Sequence, residues 1–261
     1  MALRTQSETG IKLQLKEGKK IYFASDLHLG IPGSKQVEYF FVSWLESIRI
    51  DCQYLFLVGD IFDFWFEYKH VVPRGHVRLL GKLAELADSG IEIYCFTGNH
   101  DMWMFGYLEQ EIGIKLYRKP QRFLVAGKTI EVGHGDGLGP GDRGYKFIKS
   151  VFSCRFSQWL FARLHPNFAF GIAHYFSRRS RIANGDSDEV FKGDEKEYLV
   201  QYILKTQKNE RADIYIFGHR HLPLNMKIEN SHYINLGEWV HHKTYAIFDG
   251  EVQLLIFPEK N

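Results

Sequence analysis

Cysteine, long apolar runs and an excess of charge of one sign are all scarce in this sequence. Its three cysteines, Cys52, Cys95 and Cys154, form no C-x-x-C pair, which predicts reduced thiols and a cytoplasmic location. No stretch approaches the roughly 18 to 20 apolar residues that a spanning helix needs, and we expect no secretory signal in residues 1–20. The net charge of +2 is too small to predict nucleic-acid binding.

The composition that is present is ordinary for a globular chain. The 261 residues, 45% hydrophobic and 25% charged, are enough for one large domain or two small ones. No internal repeat or low-complexity linker divides them. We therefore expect one domain over residues 1–261.

Short apolar runs stop at polar residues in four places. The runs at 21–24, 54–58, 91–96 and 214–217 each predict a buried strand that ends at a polar or glycine turn. Helical spacing over 37–48 and 77–87 lies between them, and the runs at 128–132, 231–235, 245–249 and 252–257 predict hairpin strands. Alternating strands and helices predict an α/β fold whose ligands gather at the carboxyl ends of the strands.

The segment from Arg143 to Asn184 contains no acidic residue, while basic and aromatic residues interleave along it. It predicts a helical cap inserted at about residues 139–192, with Phe152, Phe156 and Trp159 on one helical face. The basic cluster near its end is typical of a solvated or phosphate-facing surface, and we expect no nucleic acid as a partner. That cluster consists of Arg178, Arg179 and Arg181.

Five short blocks carry the residue types that bind divalent metals. Carboxylate, amide and imidazole groups together suit Mg²⁺, Mn²⁺, Fe and Zn, and glycines let the backbone come close to a metal or substrate. One such block alone is typical of a polar turn, but five in this order indicate a metal centre. The blocks are Asp26-Leu27-His28, Gly59-Asp60-Ile61-Phe62-Asp63, Gly98-Asn99-His100-Asp101, Gly133-His134-Gly135-Asp136 and Gly218-His219-Arg220-His221.

The order D-x-H, G-D-x-x-D, G-N-H-D, G-H and G-H-x-H resembles the calcineurin-like metallophosphoesterases over about residues 20–140 and 210–250. The resemblance implies a four-layer α/β/β/α sandwich with two divalent ions, expected to be Mn²⁺, between its sheets. The implied ligands of the first ion are Asp26, His28, Asp60 and His221. Those of the second are Asp60, Asn99, His134 and His219, so that Asp60 bridges the pair.

The same resemblance implies that hydroxide formed at the metals attacks phosphorus, so no protein nucleophile is needed. Asn99 and His100 then belong to the catalytic set. His100 is implied to stabilise transition-state charge or to protonate the leaving oxygen. Its orienting acid is either Asp63, the residue that matches the family, or the adjacent Asp101.

The segment after His134 resembles the UDP-2,3-diacylglucosamine hydrolases of Gram-negative lipid A synthesis. These carry H-G-D, a tyrosine eleven residues past the histidine and then a basic, aromatic cap, and the run D-I-F-D-F-W at residues 60–65 is similar to theirs. The resemblance implies hydrolysis of the substrate at its α-phosphate to UMP and 2,3-diacylglucosamine 1-phosphate. The candidate substrate-binding residues are Tyr145, Arg143, Arg163, Phe152, Phe156 and Trp159.

Physical chemistry supports a lipid substrate independently. Each buried methylene contributes about 0.8 kcal/mol, a diphosphate favours arginine, and such a cap suits peripheral contact with an anionic inner membrane. The alternative to a lipid-binding role is that the aromatic residues of the cap only pack on the core. His100 stands where those hydrolases usually have arginine, and Arg220 and Leu222 stand where they tend to have threonine and arginine.

Two other functions compete with this prediction. A different enzyme of the superfamily would act on another phosphomonoester, phosphodiester or nucleotide. A non-catalytic scaffold would have lost metal ligands, whereas this sequence contains every one that the resemblance implies. The sequence does not indicate the oligomeric state.

Overall fold

Two six-stranded sheets lie face to face, with helices on both outer sides. The computed structural model describes residues 10–141, 143–188, 191, 193 and 195–258. The strands are Ile11–Lys12 (β1), Lys20–Ala24 (β2), Cys52–Val58 (β3), Glu92–Phe96 (β4), Lys115–Tyr117 (β5), Gln121–Val125 (β6), Lys128–Gly133 (β7), Ile214–Phe217 (β8), Pro223–Ile228 (β9), Ser231–Leu236 (β10), Thr244–Phe248 (β11) and Val252–Ile256 (β12). The helices are Ser34–Ile48 (α1), Val77–Asp88 (α2), Tyr107–Ile112 (α3), Arg143–Ser153 (α4), Arg155–Phe161 (α5), Pro166–Asp188 (α6) and Tyr198–Gln207 (α7).

Each sheet combines parallel strands with an antiparallel hairpin. One sheet has the order β12-β11-β2-β3-β4-β5, in which β2 to β5 are parallel and β11 and β12 form the hairpin. The other has the order β1-β6-β7-β8-β10-β9, in which β7, β8 and β10 are parallel. The carboxyl ends of β2, β3 and β4 therefore lie together in one sheet, and those of β7 and β8 in the other.

Three apolar clusters hold the layers together. Phe23, Phe56 and Phe123 pack between the two sheets. The outer face of the first sheet is covered by α1 and α2, with Trp44 buried there. The outer face of the second is covered by α7 through residues such as Leu199. The four-layer α/β/β/α sandwich is confirmed.

The four predicted strands before the polar blocks are confirmed, as are the helices near 37–48 and 77–87 and the four hairpin strands. Strands β1, β5, β6 and β9 and helices α3 and α7 were not predicted, because they are short or carry no clear periodicity.

Helices α4, α5 and α6 follow β7 and form the cap. The predicted limit at residue 192 lies outside the described residues, as do the ends of the predicted domain and the side chains of Arg178 and Arg181. The prediction that Phe152, Phe156 and Trp159 share one helical face is wrong. Cys154 adopts an extended conformation with ψ of 128° and ends α4 before α5 begins, so Phe152 lies on a different helix from the other two. Within the described part of the chain, no helix is both long and apolar enough to cross a membrane.

Candidate metal centre

Three groups of possible ligand atoms lie where the carboxyl ends of both sheets meet, each with two buried residues and one partly buried histidine. Two of them contain only predicted metal ligands, and the third is His28, Asp63 and His100. The first group is Asp26, His28 and His221, and its ligand atoms all lie within 4.8 Å of one another. The Nε2 atoms of His28 and His221 are 3.0 Å apart, and Asp26 Oδ1 is 3.3 Å from His221 Nε2. The structure thus brings together three of the four residues predicted for the first ion.

The second group is Asp60, His134 and His219, which meets the same 4.8 Å limit. Asp60 Oδ2 lies 3.2 Å from His134 Nε2, and Asn99 Oδ1 lies 3.3 Å from the same nitrogen. All four residues predicted for the second ion therefore occupy one site. The bridging role of Asp60 stays a prediction.

Five of the candidate ligands have a left-handed backbone. Such conformations are uncommon outside glycine and concentrate at functional sites, where the surrounding structure holds them. Here the amide of Asp26 donates to the Gly59 carbonyl and that of His28 to the Asp60 carbonyl, each at 3.0 Å. The φ values are 56° for Asp26, 48° for His28, 52° for Asp60, 70° for His219 and 51° for His221.

Two glycines are required by the close approach of ligands. A Cβ on Gly98 would lie 2.2 Å from Asp60 Oδ1, and one on Gly59 would lie 2.4 Å from His134 Nδ1. Gly59 also has a φ of 85°, which other residues rarely adopt. The glycines of the sequence blocks therefore make room for neighbouring ligand side chains.

Backbone groups orient the candidate ligands. The His134 Nδ1 atom lies 2.9 Å from the Val58 carbonyl oxygen, so its N–H donates there and Nε2 is left for a metal. The amide of His219 donates to Asp26 Oδ2 at 3.0 Å. The first bond leaves His134 Nε2 available to a metal, and the second orients the Asp26 carboxylate.

The donor set fits divalent cations. Burial lowers the pKa of His28 well below its ordinary value and that of His219 to about 4, which keeps both rings neutral, as metal ligands must be. Burial raises the pKa of Asp60, but the close approach of His134 outweighs it and holds that pKa well below its usual range. Among the described residues, the buried Nδ1 of His28 has no hydrogen-bond partner.

The structure places Asp63, and not Asp101, beside His100. The Nδ1 atom of His100 lies 3.1 Å from the Asp63 carbonyl oxygen and 3.6 Å from its Oδ1. Asp101 instead accepts the amide hydrogens of Gly98 at 2.7 Å and Ile61 at 2.8 Å. Burial, followed by the charge of Asp60, raises the Asp101 pKa to about 7. Asp101 therefore supports the loops that carry the ligands.

The cap contacts the centre near both groups. Tyr145 donates a short hydrogen bond to Asp136, Lys149 Nζ lies 2.5 Å from the same carboxylate, and the Tyr145 ring is 6.4 Å from that of His219. At the other side, Ser177 of α6 hydrogen-bonds Asp63 and contacts His100. The predicted Tyr145 thus lies at the centre.

The other predicted substrate-binding residues lie on the surface of the cap. Phe156 and Trp159 are 65% and 51% exposed and stack at 6.0 Å, and Arg163 lies over the Trp159 ring at 4.9 Å. Phe152 is half-exposed and packs on Trp103 at 5.5 Å. Arg143 is exposed at the start of α4. No contact with the metal ligands is recorded for these five within the described residues, so their roles stay predictions.

Four further residues were not singled out by sequence reasoning. Asp136 belongs to the predicted block at residues 133–136, but no role was predicted for it. Ser177 and His174 lie at helical spacing on α6, and that spacing is the signal that would have paired them. The buried Glu197 forms a bidentate pair with Arg220, at 2.9 and 3.1 Å, and no sequence pattern marks it.

Several known proteins are similar to this chain. The sequence profile of the calcineurin-like phosphoesterases matches residues 19–223. A UDP-2,3-diacylglucosamine hydrolase of Porphyromonas gingivalis is 35% identical over 90% of this chain and 96% of its own length. One from Histophilus somni is 26% identical over 85% and 92%. A solved archaeal phosphodiesterase has 12% identity and a TM-score of 0.47, over 91% of this chain and 99% of its own.

Proposed function

The chain belongs to the calcineurin-like phosphoesterase family and is a metal-dependent hydrolase, and on that premise we propose that it hydrolyses UDP-2,3-diacylglucosamine to UMP and 2,3-diacylglucosamine 1-phosphate. The position of the cap is the observation that supports this choice of substrate. Its acid-free segment touches the centre through Tyr145 on one side and Ser177 on the other. Curated relatives named for this reaction support the same choice.

Two divalent ions, proposed to be Mn²⁺, would supply an activated water and offset charge on the phosphoryl oxygens when bound. Asp26, His28 and His221 would hold the first ion. Asn99, His134 and His219 would hold the second, and Asp60 would be a ligand of both. The neutral rings of His28 and His219 and the ionised carboxylate of Asp60 suit these positions.

His100 supplies the proton-handling group of the proposed reaction. Its Nδ1 is held by the Asp63 carbonyl, so Nε2 is the nitrogen left to face the reacting phosphate. Because Nδ1 already carries the ring proton, Nε2 acts by taking up a second proton, and the resulting imidazolium lies near the oxygen of the departing sugar phosphate. Asn99, the neighbouring residue, helps to place the phosphoryl group.

The cap supplies recognition of the rest of the substrate. Arg143, Arg163 and Tyr145 provide cationic and hydroxyl groups for the diphosphate, and Phe152, Phe156 and Trp159 provide apolar surface for the acyl chains. The Arg163–Trp159 contact keeps a cation beside that surface. In this proposal the cap binds the lipid while the centre cleaves the pyrophosphate.

A direct test compares three substrates with the Mn²⁺-loaded protein: UDP-2,3-diacylglucosamine, UDP-N-acetylglucosamine and bis(p-nitrophenyl) phosphate. Burial of about five methylenes at roughly 0.8 kcal/mol each predicts a kcat/KM about a thousandfold higher for the diacylated sugar than for the N-acetyl sugar. Hydrolysis of bis(p-nitrophenyl) phosphate with none of the UDP-lipid would instead support another phosphoesterase of the superfamily.

The outer surface of the cap also supports peripheral contact with an anionic membrane, which would place the enzyme on the cytoplasmic side of a Gram-negative inner membrane. Phe147, Phe168 and Phe176 are 71%, 62% and 62% exposed, and Arg155 and Arg179 of the cap helices are also exposed. Such a surface favours partial insertion beside anionic headgroups.

Vesicle sedimentation tests this contact. Binding to vesicles that contain phosphatidylglycerol is expected to fall with salt and to weaken in Phe176→Ser. The control Tyr39→Ser removes an aromatic residue that is 47% exposed on α1, outside the cap, and should bind as wild type. Equal binding to neutral and anionic vesicles would contradict the proposal.

A further inference from the structure

Helix α6 of the cap places three side chains along the Asp63–Phe64 stretch. Phe170, His174 and Ser177 are spaced by four and three residues, which puts them on one face of the helix. The Phe170 ring lies 5.2 Å from that of Phe64, and His174 Nδ1 lies 3.7 Å from Asp63 Oδ2. This face is therefore the one by which α6 sits on the loop after β3.

Ser177 makes the most specific of these contacts. Its Oγ–H donates to Asp63 Oδ1 at 2.8 Å, and the same oxygen lies 3.0 Å from His100 Nδ1. Its side chain is partly buried. One hydroxyl from the cap thus touches both members of the His100–Asp63 pair.

These contacts determine which nitrogen of His100 carries a proton. The Asp63 carbonyl, 3.1 Å from Nδ1, can only accept a hydrogen bond. Ser177 has given its single proton to Asp63 and therefore also presents a lone pair to Nδ1. Because both neighbours accept, Nδ1 is the donor and Nε2 is the nitrogen left for the reacting groups.

We propose that Ser177 is a positioning residue through which the cap fixes the ring and tautomer of His100. The inference rests on the proposed function, in which His100 acts on the phosphate through Nε2. Ser177 touches neither substrate nor metal in this account. It acts through His100 and Asp63. Packing of α6 against the core therefore also orients His100.

A double-mutant cycle tests the coupling on bis(p-nitrophenyl) phosphate with the Mn²⁺-loaded full chain. Ser177→Ala should lower kcat about tenfold, as expected for loss of one orienting hydrogen bond, with KM changed by less than about twofold. Ser177→Thr, which restores the hydroxyl, should recover most of the rate. Ser150→Ala, at an exposed serine of α4, is the matched control and should behave as wild type.

In a His100→Ala background, Ser177→Ala should cause no further loss, because residues that act as one unit are not additive. A further tenfold loss there would show that Ser177 acts elsewhere and would overturn the proposal. So would an unchanged rate in the single variant. Loss of bound Mn²⁺ in Ser177→Ala would also overturn it, since the effect would then lie on the metal ligands.

Imidazole NMR gives a readout that needs neither metal nor substrate. In metal-free protein labelled with ¹⁵N-histidine, the His100 signal, assigned by its loss in His100→Ala, should show the Nδ1–H tautomer. Ser177→Ala should shift this signal toward a tautomer mixture, and Ser150→Ala should not. An identical pattern in Ser177→Ala contradicts the proposal, whereas failure to cleave the UDP-lipid would affect the proposed function alone.

Discussion

The Nε2 atoms of His28 and His221 lie 3.0 Å apart although 193 residues separate the two histidines in the chain. Their rings meet edge to face at 4.9 Å, and Asp26 completes the group. Two imidazole nitrogens this close in a buried site are unfavourable unless a proton or a cation lies between them. A divalent cation bound by these two histidines and Asp26 would take that place, so we expect metal to stabilise the fold.

Metal should raise the melting temperature of the wild-type chain, and His221→Ala should reduce that increase by at least half. Mn²⁺ at about 100 times its Kd contributes roughly 2.7 kcal/mol, which corresponds to about 5–10 °C for a chain of this size. The measurement is differential scanning fluorimetry with and without Mn²⁺. His241→Ala, an exposed histidine in a nearby loop, is the control, and an equal increase in all three proteins would contradict the assignment.

Gly98→Ala should remove activity while the fold persists. The added Cβ would lie 2.2 Å from Asp60 Oδ1, so the carboxylate must move, at a cost of about 1–3 kcal/mol in the free energy of unfolding. We expect at least about a hundredfold loss of hydrolysis of bis(p-nitrophenyl) phosphate. Gly81→Ala is the control: its Cβ meets open space on α2, and it should keep full activity and gain about 0.5–1 kcal/mol.

Arg220→Met should destabilise the chain strongly. Arg220 is 1% exposed, lies between two candidate ligands in sequence and forms a bidentate pair with Glu197. Removing one partner of a buried pair costs about 3–5 kcal/mol, a decrease of roughly 10 °C in melting temperature.

The control is Arg49→Met, which breaks the exposed Arg49–Glu85 pair at 2.8 Å and should cost about 0–1 kcal/mol. Both are measured by urea unfolding at fixed metal concentration. Equal losses from the two variants would show that the buried pair does not hold the turn that carries His219 and His221.

The Phe156→Ala/Trp159→Ala variant should separate lipid recognition from chemistry. Loss of these exposed rings is expected to lower kcat/KM for UDP-2,3-diacylglucosamine by about a hundredfold, because several methylenes lose their contact surface. Hydrolysis of bis(p-nitrophenyl) phosphate should stay within about twofold. Tyr39→Ala is the control for removal of an exposed aromatic. Equal loss on both substrates, or loss on neither, would contradict the lipid-binding role.

The fold and the proximity of the candidate metal ligands could be predicted because they depend on local patterns. Apolar runs that end in blocks such as Asp26-Leu27-His28 place ligands at strand ends, and parallel strands bring those ends together. The choice between Asp63 and Asp101 could not be made from sequence. It depends on which carboxylate the tertiary fold turns toward His100, and the structure turns Asp63 there.

The cap was harder to predict, because its segment is rich in aromatic residues on every side. One helical face was expected to hold Phe152 and Trp159 together, but the extended Cys154 separates them. Ser177 was not considered, since a serine in a helix carries no signal until its neighbours in space are known. Long-range contacts of this kind depend on how separate elements dock.

The most direct test of the account is product analysis of UDP-2,3-diacylglucosamine incubated with the Mn²⁺-loaded protein in ¹⁸O-water. We expect UMP to be released with the ¹⁸O label, because water attacks the α-phosphate and the sugar phosphate leaves. No UMP from a protein that has bound Mn²⁺ and cleaves bis(p-nitrophenyl) phosphate would contradict it, as would label found only in the 2,3-diacylglucosamine 1-phosphate.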